Sequence, residues 1–592
     1  MLLSKLKIKL TMKKYILSLF IAAAAFVGQG CESYLEEELV SDVSAASYYT
    51  TPQGFEDAVR STYAVMKSFY GTERGFTMTV MGTDVHTNGA DGGHKYLNFY
   101  DNEHNPEARY FRDTWRDFYR GINQANAVIN RSEQLDIPEA QKTARIAEVR
   151  FLRALYYFNL VRFYGNIHLT LEETEGIEIT AEPVPPARIY AEAIVPDLEF
   201  AIANLPASQD DLGRATKPAA EFLLSKALLR RSYTDFSESN DLSRAESLLT
   251  TVINDYGFEL ADNARELFGL NERGVPVNIA TAEDTPELIF AVQNSKQQVD
   301  EGLDGDGHRG HLYFLMEYDR LPGMLRDTEN GRPWKRFRPT PFHLSLWNRE
   351  IDSRYDMTYK HVWFSNNEDG IPSWSEDEIP PAGVSVGDPK YSLGDTAILV
   401  PGPGENAKWD ETAKKSTRYL VITPDPVYDG DLWFYTEKLY PTLNKFIDNT
   451  RPNRQHTQGQ RDFYLMRLGE AYLLRAEARF QQGNLQGAAN DINVIRERAA
   501  WPGMEEEMRI TAGDVDLDFI LDERARELDG EGQRWFDLTR TGTLVERVRA
   551  HNPEASPNIQ DYNVIRPIPQ DQIDRSQGGY PQNPGYPENV SG

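Results

Sequence analysis

One cysteine, Cys31, stands in 592 residues. A lone thiol builds no disulfide framework and no Cys-rich metal site, so both are excluded. Basic charge is in deficit: 63 Lys and Arg face 91 Asp and Glu, a formal net charge of −28. That excludes nucleic-acid binding through a general basic surface. After the first 30 residues no run approaches the roughly 18 consecutive apolar residues of a membrane span. Catalytic signatures are scarce too. The ten His never form H-E-x-x-H, and no strand–turn–helix serine elbow is read. Carboxylate runs such as Glu376-Asp377-Glu378 are solvated faces in so acidic a chain.

What is present suits a large folded protein. Apolar residues make up 40% and charged residues 26%, which excludes wholesale disorder. By length alone about four domains are expected, or one helical array in their place. Aromatics reach 11%, with 30 Tyr and 9 Trp, a supply that serves cores and flat ligands alike. The N-terminus reads as an export signal. Lys5, Lys7, Lys9, Lys13 and Lys14 precede an apolar run from Tyr15 to Val27, and the small Gly28 and Gly30 lie just before Cys31. The run spans roughly 20 Å as a helix, short of a bilayer core of about 30 Å. The only Cys falls where a bacterial lipoprotein box is lipidated, so residues 1–30 are expected to be removed and Cys31 to carry the lipid. Translation starts at Met1 or Met12. Loss of the five lysines takes the charge to −33. An acidic tether, residues 31–50, follows.

Helical spacing dominates 51–274. Trp115, Phe118, Tyr119, Ile122, Ala125 and Ile129 form one stripe, and Ile146 to Phe163 another that Gly165 stops. Gly82 to Asn105 reads as a polar loop. Two helical pairs share a pattern: Leu242, Ala245, Leu249 and Val252 match Leu485, Ala488, Ile492 and Ile495 in spacing. Small Ala residues let such helices approach closely, the tetratricopeptide solution. Over 275–452 the periodicity fades into Gly, Pro and aromatics. Trp334, Trp347, Trp363, Trp374, Trp409 and Trp433 lie there, and long irregular segments on a rigid scaffold carry function. Gly305 to Gly310 matches G-x-G-x-x-G without a βαβ context, so it is rejected as a dinucleotide site. Asp304, Asp306 and His308 begin like a calcium loop, but Arg309 and Leu315 fill positions that need Gly and Glu. No metal site and no cofactor is expected.

Three segments resemble one family. These are Glu148 to Gly165 (EVRFLRALYYFNLVRFYG), Tyr464 to Ala478 (YLMRLGEAYLLRAEA), and Leu521 to Leu528 followed by Gly532 to Arg540 (GQRWFDLTR). With Arg566-Pro567-Ile568-Pro569 and the lipoprotein leader, they are similar to the SusD/RagB outer-membrane nutrient-binding lipoproteins. The resemblance covers roughly 31–569. Within it, Arg150, Arg153, Arg524, Arg526 and Arg534 are read as internal partners of Glu148, Glu470, Glu477, Glu523 and Glu527.

The resemblance implies a mainly α fold: tetratricopeptide-like pairs as scaffold with a loop-rich ligand-binding portion at 275–452, closed by a helical region at 453–592. It implies a lipid-anchored protein facing out from the outer membrane. There it captures an oligosaccharide and passes it to a SusC-like TonB-dependent transporter, with no catalytic step. Sugar rings pack on aromatic planes, and their hydroxyls need polar partners. Asp84, His86, Asn88, Asp91, His94 and Tyr96 of the first loop and Trp334, Trp363 and Trp374 of the irregular region are therefore expected to meet the ligand. Asp84 alternatively caps a helix or fixes a turn. Peptide or glycopeptide ligands on the same fold, a surface glycoside hydrolase, and a purely structural lid stay open as rival readings.

Overall fold

The structure, a computed structural model, describes residues 50–587 apart from 175, 278, 280–282, 295–306, 403 and 428–431. The leader, Cys31, most of the tether, and Asp304 and Asp306 lie outside the described residues. No helix among the described residues is long and apolar enough to cross a membrane.

The scaffold is helical, as expected. Helix α1 (Pro52–Ala64) starts where Thr51 Oγ1 accepts the Gly54 amide at 3.0 Å and proline occupies the first turn. Helices α2 (Arg109–Arg131) and α3 (Glu139–Tyr164) form a hairpin. From Ala147 onward α3 is buried almost all round, which makes it the central helix of the N-terminal half. Gly121 permits the α2–α3 approach: a Cβ there would meet the Tyr156 ring at 2.5 Å. The Arg153 fork grips Asp197 in α4 (Val195–Asn204) at 2.7 and 2.8 Å and ties α3 to it.

The two expected helical pairs exist. They are α5 (Lys217–Arg231) with α6 (Asp241–Asp255), and α7 (Leu468–Gln481) with α8 (Leu485–Ala499). In each second helix the small residue and the two aliphatics after it are buried: Ala245, Leu249, Val252 and Ala488, Ile492, Ile495. Leu485 is the exception to the shared pattern, exposed at the outer end of α8. Each pair is locked by an arginine of its first helix on an aspartate of its second, Arg231 on Asp241 and Arg475 on Asp491. The pairs stack through α6 and α7, where Arg479 meets Glu246 at 2.8 Å.

Four short strands matter: β1 (His86–Asn88), β2 (Leu288–Val292), β3 (Phe337–Pro339) and β4 (Phe463–Arg467). β1 pairs antiparallel with β3, and β2 with β4. The family-like segment Tyr464 to Ala478 thus opens as strand and continues as helix. Residues 463–467 are buried on every side, and helix begins only at Leu468. Behind β4, the Arg467 guanidinium is 1% exposed and meets Glu287, Glu527 and Glu531 at 2.7–2.8 Å. Glu287 precedes β2, Glu527 ends α9 (Leu517–Glu527), and Glu531 lies between α9 and α10 (Arg534–Arg540). Internal Arg–carboxylate pairing is present, in part with other partners than expected: Arg524 bonds Asp537 and Glu470, Arg526 bonds Glu523, and Arg540 bonds Glu477, whereas Arg153 takes Asp197, Arg534 takes Asp84, and Glu148 is met by Arg145 and Arg214. One continuous core runs from Val65 to Tyr580 through both halves and the irregular segment.

Candidate functional site

The loop after α1 and the irregular region meet along the β1–β3 pair. His86 faces Pro339, and Asn88 faces Phe337. The contact continues past the strands: the Gly89 amide donates to Arg336 O at 2.8 Å, and the Asp91 amide to Lys335 O at 3.2 Å. The Ala90 amide donates to Glu437 O at 2.9 Å. Residues 89–91 and 335–336 therefore extend the β1–β3 pair as one edge that runs outward from a buried root, with 92–94 and Trp334 adjoining it in the chain.

Of the residues expected to meet ligand, Asp84, His86 and Asn88 belong to that root and Tyr96, Trp363 and Trp374 are interior as well, which corrects the expectation for them. Asp84, His86 and Asn88 are fully buried. Asp84 is gripped by Arg534, with Nε at 2.7 Å, and by Arg547, with Nε at 2.8 Å. Burial pushes its carboxyl up, but the two guanidiniums outweigh it and hold Asp84 well below the usual carboxylate range. His86 Nε2 lies 2.7 Å from Asp529 Oδ1. Asn88 Oδ1 accepts from Asn98 at 2.7 Å, and Asn98 in turn accepts from Asn552. Tyr96 is 5% exposed inside the same core. Trp363 and Trp374 are interior too. Trp363 stacks on Tyr318 with centroids 4.4 Å apart, and the Lys390 ammonium sits 4.7 Å from the Trp374 ring. A hydrogen-bonding residue on a Gly-rich segment looks like a ligand contact in sequence. Here the partners that consume it lie more than 400 positions away.

His86, His343 and Asp529 are the one trio with metal-ligand chemistry among the described residues. The Asp529 oxygens are already met by His86 at 2.7 Å, His343 at 2.9 Å and the Tyr359 hydroxyl at 2.6 Å. Burial lowers the His343 pKa, and the trio's contacts run to one another and to Tyr359.

Trp334 is different. It is only partly buried and lies at the rim of the shared edge. The Arg336 and Arg332 guanidiniums lie 5.1 and 5.8 Å from its ring centroid. Arg336 is fixed by Glu73 at 2.8 Å, whose carboxyl burial raises against the pull of Arg336. Between Trp334 and β3, Lys335 adopts a left-handed φ of 42°. Such backbone costs about 1–3 kcal/mol and gathers at functional sites. The Lys335 ammonium spans Asp91 at 3.1 Å and Glu317 at 3.2 Å, which ties the strained residue to the first loop. Across the edge, His94 stacks on Tyr110 with centroids 3.6 Å apart. Burial, with Arg109 and Arg336 nearby, lowers His94 to about 4, so it is neutral at pH 7 and can donate or accept. Gly93 faces open space. The arrangement is an aromatic plane framed by fixed guanidiniums, carboxylates and a neutral imidazole. Its makeup suits a polar ligand with an apolar face.

Sequence reading missed Arg336, Glu73 and Tyr110. A basic residue two positions after Trp334 was visible, but Glu73 and Tyr110 reach the site only through the fold. One catalytic string was overlooked. Gly383-Val384-Ser385-Val386-Gly387 matches G-x-S-x-G by letter, yet it lies in an exposed loop without a strand before it or a helix after it. It forms no nucleophile elbow.

Residues 286–586 match the SusD family profile, and residues 33–229 match a second profile described as starch-binding, associating with the outer membrane. SusD-like protein P38 of Formosa agariphila is 24% identical over 90% of this chain and 92% of its own. The starch-binding protein SusD of Bacteroides thetaiotaomicron is 26% identical over 78% of this chain and 76% of its own. Among solved structures, a laminarin-binding SusD-like protein superposes with a TM-score of 0.62 at 24% identity, covering 91% of this chain and all of that one.

Proposed function

We propose, from the premise that the chain belongs to the SusD family, that it binds an oligosaccharide at the bacterial surface through the rim around Trp334. The observation that carries this reading is the hydrogen-bonded edge, Gly89 on Arg336 and Asp91 on Lys335, that sets the first loop beside the segment carrying Trp334. An indole plane accepts the CH face of a sugar ring. Arg336, Asp91 and His94 stand where hydroxyls need partners. The protein holds the glycan without turnover and hands it to a SusC-like TonB-dependent transporter. Cys31 carries the lipid that keeps it at the outer membrane.

The test is calorimetry on soluble residues 32–592 with laminarin and starch oligosaccharides and a protein digest. One saturable glycan should bind, and Trp334→Ala should weaken it at least about tenfold, the loss expected for removing one stacking plane. Unchanged affinity in Trp334→Ala would sink the assignment of the rim. Binding confined to the digest would replace glycan by peptide.

A further inference from the structure

A second opening lies between the loop after α6 and the segment 356–364. It encloses about 410 Å³. Arg265, Arg273, His361, Phe364 and Trp501 line it, and none of these belongs to the Trp334 rim. Two guanidiniums reach it without a counter-charge. Arg265 donates only to the backbone oxygen of Asp356, at 3.4 Å, and Arg273 lies over the Phe364 ring at 4.3 Å. Among the described residues neither forms an ion pair. Arg273 is exposed and Arg265 half-buried, so both cations are open to an incoming anion. The lining carboxylate Asp356 is already spent, on Arg349 Nε at 3.0 Å and His361 Nε2 at 3.3 Å. Glu272 is exposed beside Arg273 and is the remaining acid of the lining.

The cationic tip is built rather than loose. Asn271 Oδ1 accepts the amides of Arg273 at 2.9 Å and Val275 at 3.0 Å, and Leu270 bridges to Pro276. Asn444 reaches over from the irregular region and donates to Gly274 O. Gly274 holds φ +67°, and a Cβ there would meet Asn444 Nδ2 at 2.8 Å, so the turn fits only glycine. A planar guanidinium fork matches the paired oxygens of a carboxylate or sulfate. The Phe364 face and the partly buried Trp501 supply the apolar contact a sugar ring needs.

We propose that this cleft receives the anionic group of an acidic sugar, a uronate carboxylate or a sulfate ester, with Arg265 and Arg273 as its two cationic contacts. The sugar half of the proposal rests on the glycan reading above, whereas the anionic half rests on the cleft alone.

The test is calorimetry on soluble residues 32–592 with trigalacturonate, a sulfated trisaccharide, neutral laminaritriose and inorganic sulfate. One acidic trisaccharide should bind, and which one binds separates carboxylate from sulfate. Arg265→Gln and Arg273→Gln should each weaken it at least about tenfold, the scale of one charge-assisted contact. Binding should also weaken as salt rises from about 50 to 300 mM, because the cleft is open to screening. Neither arginine carries an ion pair of the fold, so both variants should melt within about 2 °C of the parent. Trp334→Ala should leave acidic binding unchanged. The proposal is overturned if neither acidic trisaccharide binds, if only inorganic sulfate binds, or if the double variant binds as the parent does. Laminaritriose binding lost in Trp334→Ala, without any acidic binding, would keep the rim and remove the cleft. Acidic binding lost in the arginine variants but kept in Trp334→Ala, with no laminaritriose binding to the parent, would keep the cleft and remove the rim.

Discussion

Asp84 spends its carboxylate on Arg534 and Arg547 in a site with no access to water. Replacing it with Asn leaves the buried Arg534 without its counter-charge, while Arg547 keeps Asp518 and Asp522. Breaking a buried pair from one side costs about 3–5 kcal/mol. We expect Asp84→Asn to lower the unfolding midpoint in guanidinium clearly and to weaken glycan binding through loss of the β1 root. An unchanged midpoint would return Asp84 to the list of ligand contacts. The residue scale is also where sequence reading was weakest. Side-chain type told that Asp84, His86 and Trp363 do something specific. It could not tell inward from outward, because inwardness is decided by Arg534, Asp529 and Tyr318, each far away in the chain. Trp334 had the same signature as Trp363 and Trp374. Only its place at the end of a hydrogen-bonded edge separates it from them.

At the scale of elements the local signals were sufficient. The stripe Ile146 to Phe163 predicts α3, and the spacing shared by α6 and α8 predicts two stacked pairs, because a helix repeats within a few residues of itself. The 463–467 strand escaped because it is buried on all sides and shows no alternation, the case in which periodicity cannot tell strand from helix. The α2–α3 crossing yields a sharp expectation. Gly121→Ala would place a methyl 2.5 Å from the Tyr156 ring and 3.1 Å from Val65. Overpacking of this kind costs about 1–3 kcal/mol. The ring would have to move, along with the bond from the Tyr156 hydroxyl to Thr62 O at 2.6 Å. A lowered melting temperature, with helical circular dichroism retained, is the expected result. A midpoint equal to the parent would show that the crossing has slack.

Across the whole molecule, charge sets the pH range. Glu523, Glu527, Asp529, Glu531 and Asp537 are all buried, and burial raises each. Facing arginines, Lys445 for Glu531, and the two histidines for Asp529 more than offset this and hold all five below the normal carboxylate range. A carboxyl held low in the fold contributes fully above its unfolded pKa, near 4, and loses that contribution as pH falls below it. Asp462 runs the other way. Burial, with Glu283 beside it, lifts it to about 7, so its share grows as pH falls from 7. Burial raises Glu73, Glu221 and Asp491 as well. Buried histidines such as His94, His104, His308 and His311 are held below the ordinary imidazole pKa, so their contribution is lost as pH falls below about 6.5. The melting temperature should begin to fall below about pH 6.5 and fall more steeply below about 4. A midpoint still level at pH 3 would mean that these pairs add little net stability.

The bond between Asp84 and Arg534 joins positions 450 residues apart, and that between His86 and Asp529 spans 443. Arg534 and Arg547 follow every residue of the rim in the chain, so they are made after it. Until they arrive, the root beneath Trp334 cannot close. A chain cut short before Arg534 would carry every residue of the rim and still lack the partners that order it. The rim's order is thus written last, by residues that are no part of it.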